Sequence, residues 1–387
     1  MNLLLAPDSF KESLSVFAVA AALAEGWRRG DPDAVVDIAP LSDGGDGLLA
    51  VLLHADPRGE RRTVLVKGPL GEAVEADFGL VDGGSTAIIE MAQASGLALI
   101  SPERRDPRRA GTYGTGQLIR AALDAGARHL LIGLGGSATN DAGAGMARAL
   151  GVVFQDASGA PLPEGGAALA DLAAIDFSGL DPRIAESRIL ALCDVKNPMI
   201  GPEGASAVYG PQKGATPAQV RQLDAALARF ADIVAGQTGC RLHELPGSGA
   251  AGGLAGGIVA LLGGRILPGF DTIAEQLALA ARIGNADLVV TGEGAMDGQS
   301  LQGKVVGGVL RLARAADVPV IALAGRLGPG YRDLLDAGLT AAFALADGPI
   351  SPEGSMARTR ELLIDRAEGL ARYWRAAEKG LSKNTRR

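Results

Sequence analysis

A chain of 387 residues, 47% hydrophobic and 21% charged, exceeds what one core usually organises, so two domains are expected. A net charge of −7 without a basic, aromatic-interleaved stripe excludes a nucleic-acid surface, and no run of about 18 apolar residues marks a membrane span. Two cysteines, Cys193 and Cys240, exclude a disulfide framework, while 56 glycines without a Gly-X-Y period favour tight turns and loops that approach a ligand.

Met1 runs straight into the apolar stretch Leu3–Ala6, with no signal-like leader, so the expected compartment is the cytoplasm. That stretch reads as a buried strand stopping at Pro7-Asp8. Val16, Val19, Ala20, Leu23 and Trp27 mark a helical stripe that Ser13 or Ser15 can cap. Val35–Ala39 is the next strand, closed by Pro40 and the loop Asp43–Gly47. Strands apolar throughout, alternating with helix, predict a parallel sheet covered on both faces. From about residue 60 the texture changes, and Thr63–Val66, Ala76–Leu80 and Ala87–Met91 read as hairpins or a mixed sheet. A helix over Gly116–Ala125, a strand over His129–Leu134 and a helix over Asn140–Leu150 follow. Then come a Pro/Gly-rich loop at 157–166, a strand at Ile189–Leu192 and an amphipathic helix over Gln219–Ala235. The parallel pattern returns with strands at Leu288–Thr291, Val320–Ala324 and Ala341–Ala346, separated by helical segments 305–315 and 330–337.

The predicted fold class is therefore α/β, with two α/β domains. One is a Rossmann-like parallel sheet formed by both chain ends, residues 1–60 and 281–378; the other, a mixed-sheet domain over 61–280, is inserted. Residues 379–387 read as a polar, frayed tail.

The segment Gly133-Leu134-Gly135-Gly136-Ser137-Ala138-Thr139-Asn140-Asp141 follows a strand and is expected to open a helix. Backbone N–H groups there suit a phosphate or carboxylate, although the same residues also serve as ordinary caps. Gly133-x-Gly135-x-x-Ala138, with Asp156 after the next strand, also fits a dinucleotide fingerprint. The segment from Gly298 to Lys304 satisfies most of a P-loop. Against that reading, Val305 replaces the metal-binding hydroxyl, and the segment follows an acidic turn in place of a strand. Lys304 can still meet a phosphate as a point charge.

Acids recur where parallel sheets bind ligands: Asp8, Asp43, Asp46, Asp141, Asp194, Glu293 and Asp297. One or two such carboxylates can hold Mg²⁺ with phosphate, and one can accept a hydroxyl proton; any single one is more often a turn or cap residue. Lys11, Lys196, Lys213 and Lys304 accompany them, and acids, lysines and glycine loops together equip phosphoryl transfer. His54, His129 and His243 all read as structural, which argues against a histidine triad or a zinc site.

On these residues the chain resembles the bacterial glycerate kinases of the first type. The shared segments run in order: APDSFKESLS at 6–15, LSDGGDG at 41–47, GLGGSATNDAGAG at 133–145, CDVKNPMIGPEGA at 193–205, YGPQKGA at 209–215, PGSGAAGGLAGG at 246–257 and TGEGAMDGQSLQGK at 291–304. The resemblance implies that ATP and D-glycerate give ADP and phosphoglycerate with Mg²⁺, usually the 2-phosphate, in a cleft of a two-domain enzyme. It makes glycerate and ATP the expected partners and allows a homo-oligomer. Three positions depart from the family pattern: Ala295 stands where Arg is common, Asp46 where Glu is more usual, and Ser42 where Ala is frequent.

Within that reading Asp194 is the expected base, with Lys11 and Asp8 as further catalytic residues. Ser9, Ser137, Thr139, Asn140 and Asn197 are expected at the substrate, and Gly135, Gly136, Lys213, Glu293 and Lys304 at the nucleotide. Asp43 and Asp297 are expected at the metal. The residues taken without the resemblance leave two alternatives: an NAD-dependent hydroxy-acid dehydrogenase and a non-enzymatic hydroxy-acid-binding protein.

Overall fold

A computed structural model describes residues 1–301 and 304–384. The N-terminal end supplies strands β1 (Asn2–Leu5) and β2 (Val35–Ile38). The middle supplies β3 (Glu60–Lys67), β4 (Ala73–Val81), β5 (Thr86–Glu90), β6 (His129–Gly133), β7 (Val153–Gln155), β8 (Ala174–Asp176), β9 (Arg188–Leu192) and β10 (Arg265–Leu267). The C-terminal end supplies β11 (Leu288–Met296), β12 (Val320–Leu327) and β13 (Ala341–Ala344). Two compact units result: Met1–Asp43 with Phe270–Arg387, and Gly44–Gly269.

The first unit holds a parallel sheet in the order β13-β12-β11-β1-β2, so both chain ends build it, as the apolar runs predict. Alternation along β1 sends Leu3 and Leu5 to one face and Leu4 and Ala6 to the other. The first face packs on Val19, Leu23 and Trp27 of the helix Val16–Gly30 and on Leu363 and Ala367 of the helix Thr359–Asn384. The second packs on Val306, Val309 and Leu310 of the helix Val305–Ala315. Full burial of each such aliphatic side chain contributes about 1.5–3 kcal/mol. Ser15 is the cap of the first helix, accepting from the Ala18 N–H; the Ser13 hydroxyl instead donates to the Met356 carbonyl at 2.9 Å.

The helix Thr359–Asn384 has no counterpart in the sequence reading, and it runs into the segment expected to fray. Residues 385–387 of that tail lie outside the described residues. Its crossing with the first helix depends on glycine. A methyl group added at Gly26 would lie 2.2 Å from the Ile364 carbonyl oxygen, and one at Gly30 would lie 2.5 Å from that of Glu368.

The second unit holds a mixed sheet in the order β10-β9-β6-β5-β4-β3. Strands β3, β4 and β5 pair antiparallel; β5, β6, β9 and β10 pair parallel. Strands β7 and β8 form a separate antiparallel pair. Two expectations need correction. The helix after the glycine-rich segment starts at Ala144, not Asn140, and β11 continues through Glu293 to Met296, so the P-loop-like segment does follow a strand. No helix among the described residues is long and apolar enough to cross a membrane.

Gly26→Ala and Gly369→Ala both gain helix propensity, but nothing lies within 4 Å of a methyl group at Gly369. Urea denaturation should show Gly369→Ala as stable as wild type or more so, and Gly26→Ala destabilised by about 1–3 kcal/mol. Equal effects would remove the glycine crossing as the cause.

Candidate active site

Strand order decides where the acids of the first unit gather. The chain leaves β1 toward β2 on one side and returns at β11 on the other. This reversal is a topological switch point, the place where open parallel sheets bind ligands beyond their strand ends. Pairing continues past β1: the Asp8 N–H donates to the Gly292 carbonyl and the Leu41 N–H to that of Pro7, both at 2.9 Å. Asp8 is thereby set between its neighbours.

Its side chain is 8% exposed, and the Ser9 N–H donates to Oδ1 at 2.6 Å. Burial, followed by the charge of Asp43, pushes the Asp8 carboxyl up from 3.8 to about 7, against the Ser9 N–H and Lys11. Glu293 on β11 is also 8% exposed, and burial raises its carboxyl too. Asp297 and Asp43 add to that rise, while the Ser300 hydroxyl and Lys304 oppose it. Glu293 Oε1 is buried without a hydrogen-bond partner among the described residues.

Around these acids stand the cations. Phe10, buried, exchanges backbone hydrogen bonds with Leu14 at 3.0 and 2.9 Å, which closes the turn carrying Lys11. Lys304 occupies the N-cap position of the helix Val305–Ala315. Asp297 closes its own turn by accepting the Gln299 N–H at 2.9 Å. Gln302 and Gly303 of the P-loop-like segment lie outside the described residues. Among the described residues no group of three or more His, Cys, Asp or Glu forms a ready-made metal cage. Magnesium asks for less, taking one or two carboxylates together with phosphate.

The second unit places Ser137, Thr139, Asn140 and Lys213 together, but not at the start of a helix. The anion at the head of the short helix Ala144–Ala149 is the protein's own Asp141. Its carboxylate accepts the N–H groups of Thr112, Gly143 and Gly145 at 2.9, 3.2 and 3.1 Å, and the Thr112 hydroxyl at 2.9 Å. An internal carboxylate therefore occupies the N–H groups at the head of this helix. Gly135 is likewise explained by packing, since a methyl group there would lie 2.6 Å from the Cα of Gly45. Gly136 adopts a positive φ of 70° in the same turn. The dinucleotide alternative fails on topology, because β7 pairs with β8 outside the parallel sheet. Asp156 instead closes a turn through Ser158 and Ala160.

Lys213 is 2% exposed, and its ammonium donates to Ser137 Oγ at 2.8 Å and the Thr139 carbonyl at 2.7 Å. Burial lowers its pKa from 10.5 to about 7, with Asp141 opposing. Thr139 Oγ1 and Asn140 Oδ1 are buried without partners among the described residues, while Asn140 Nδ2 donates to Ser206 Oγ at 3.0 Å. In the loop after β9, Asp194 Oδ1 accepts the Gly269 N–H at 3.0 Å. Asn197 uses both ends of its amide locally, accepting from the Tyr209 hydroxyl and donating to the Glu203 carbonyl, each at 2.8 Å. Thr112 and Ser206 are participants that no motif or spacing marked, while Ser300 lies within the P-loop-like segment without having been singled out.

The description of the glycerate kinase family matches residues 3–375 of the chain. The chain is 45% identical to a glycerate kinase of Halalkalibacterium halodurans, over 96% of this chain and 97% of that protein. It is 44% identical to glycerate 2-kinase of Escherichia coli, over 89% of this chain and 90% of that one. A crystal structure from Salmonella typhimurium, provisionally assigned as glycerate kinase 2, superposes with a TM-score of 0.85 at 43% identity, covering 98% of this chain and 99% of that chain.

Lys213 supplies a pH test. Its folded-state pKa lies below its unfolded one, so the unfolded chain binds more protons between about 7 and 10.5, and stability from this group rises with pH across that window. Urea midpoints of wild type should climb from pH 7 to about pH 9 relative to those of Lys213→Met. Parallel pH courses for the two proteins would contradict the buried lysine.

Proposed function

Because the chain belongs to the glycerate kinase family and is an enzyme that phosphorylates glycerate, we propose that ATP is the phosphoryl donor, D-glycerate the acceptor and 2-phosphoglycerate the product. The observation that carries this reading is the meeting of Asp8, Asp43 and Glu293 at the switch point, with Lys11 and Lys304 beside them. The naming of the Escherichia coli relative as a 2-kinase supports the position of the phosphate.

Magnesium fits this donor set. Glu293 Oε1 is a buried, hard oxygen with no hydrogen-bond partner among the described residues, and a cation would relieve the carboxylates crowding Asp8 and Glu293. Glu293, with Asp43 or Asp297, would hold it. Bound ATP brings the electrophilic phosphorus, and Mg²⁺ spreads the charge on its oxygens. Lys11 and Lys304 neutralise phosphate oxygens as point charges. Asp8 accepts the proton of the attacking hydroxyl, since a base works best when its pKa lies near the operating pH. We assign that role to Asp8 over Asp194 because Asp8 is buried among the acids of the switch point, where its carboxyl is pushed up to about 7. In the second unit, Thr139 Oγ1 and Asn140 Oδ1, without partners among the described residues, are the polar atoms we assign to ligand recognition.

ADP release should depend on D-glycerate, and NMR of the product should place phosphorus on the C2 oxygen. Asp8→Asn should lower turnover by at least about 100-fold while the protein stays folded, and Asp194→Asn should lower it by less than about tenfold. ADP release indifferent to glycerate would sink the acceptor assignment. Near-normal turnover in Asp8→Asn would sink the base.

A further inference from the structure

The second unit carries a cavity of about 390 Å³ that the proposed reaction does not use. Arg104, Arg105, Arg108 and Arg109 line it, with Glu103 and Asp106 as the acids among them. Both acids are already engaged. Asp106 takes Arg108 bidentately, at 2.9 Å from Nε and 2.8 Å from Nη2. The Glu103 carboxylate is held by its own backbone N–H and the Ser101 hydroxyl. Arg104, Arg105 and Arg109 form no ion pair among the described residues. Glu103 and Asp106 act on Arg105 and Arg109 only through their fields, and Arg105 Nη1 donates to the Gln212 carbonyl at 3.4 Å, so three guanidinium groups line one cavity without a carboxylate in contact among the described residues.

The loop that presents them is built to stay in place. Successive turns close through the N–H groups of Arg104 on Ser101, Arg109 on Asp106 and Ala110 on Asp106, at 3.0, 3.1 and 3.0 Å. The Ala167 N–H holds the Arg108 carbonyl at 3.1 Å. Gly214, at φ +94°, lets the next segment approach so closely that a methyl group there would lie 2.7 Å from the Arg105 carbonyl oxygen. Arg105 is pinned between these walls, and its Nε–H is buried with no hydrogen-bond partner among the described residues. A buried, charged donor without an acceptor is costly, and such a group in a native fold calls for an explanation. A ligand oxygen is the simplest one.

We propose that this cavity is an anion site for a phosphate group, free or carried on a small ester. A monocarboxylate needs one guanidinium fork; three around one cavity match the charge and the multiple acceptor oxygens of a phosphate dianion. The volume exceeds that of a lone phosphate and leaves space for a three-carbon ester.

The test is calorimetric titration of the full chain at constant ionic strength, with saturating MgATP filling the nucleotide site. Inorganic phosphate and 3-phosphoglycerate serve as separate probes. Wild type should bind one anion per chain saturably, and the exposed pair Arg104→Ala/Arg109→Ala should bind at least about tenfold more weakly. In that double variant, glycerate-dependent ADP release without added phosphate should stay within about twofold of wild type, which also reports that it folds. Arg105→Lys, which keeps the charge but loses the fork, should weaken binding as well. Tighter binding of the ester at the same arginines names an ester as the ligand, and the reverse order names free phosphate. No saturable binding with MgATP present, or equal binding by wild type and the double variant, overturns the site.

Discussion

Carboxylates repel one another most strongly where water is kept away, and the first unit keeps Asp8 and Glu293 nearly dry within reach of the Asp43 charge. The strand order enforces the crowding. With β11 central and β1 beside it, the residues leaving β1 and those ending β11 must share one place. Glycine keeps the neighbours tight: a methyl group at Gly292 would lie 2.2 Å from the Leu323 carbonyl oxygen. The result costs stability. An acid whose folded pKa lies above its unfolded one loses stability as pH rises, here from 3.8 to about 7 for Asp8. A fold that tolerates such a loss at its switch point is arranged for a charged ligand.

Asp141 shows what a buried acid looks like when the protein satisfies it. It is fully enclosed, yet four donors from Thr112, Gly143 and Gly145 surround its two oxygens. Glu293 has an oxygen with none among the described residues. The same side-chain chemistry thus meets four donors at Asp141 and leaves one oxygen of Glu293 without a donor among the described residues. Lys213 follows the same logic, since the Ser137 hydroxyl and the Thr139 carbonyl absorb its ammonium and tie the glycine-rich turn together.

Much of the first unit was legible because its strands are short apolar runs ending at acids. Leu3–Ala6 before Asp8, and Leu288–Thr291 before Glu293, point to a parallel sheet buried on both faces without any knowledge of partners. The start of the helix after the glycine-rich segment was misplaced for a reason of distance. Thr112, which helps hold the Asp141 carboxylate, lies 29 residues away, and nothing in the local spacing reveals the pairing. The terminal helix was missed although Leu363, Ala367 and Ala371 recur at helical spacing, because its partner glycines, Gly26 and Gly30, sit at the other end of the chain. The long ordered segments shared with the glycerate kinases carried the function, while the assignment of Asp8 over Asp194 needed burial and hydrogen bonds that only the fold supplies.

The account rests on Asp8 being an acid held near neutrality until a cation arrives. Carboxyl-carbon NMR of the aspartates, with Asp8→Asn used to identify the resonance, measures that directly. The predicted titration midpoint for Asp8 in the ligand-free enzyme is about 7, moving well down when MgATP is added. A midpoint in the ordinary carboxylate range, unchanged by MgATP, would contradict it.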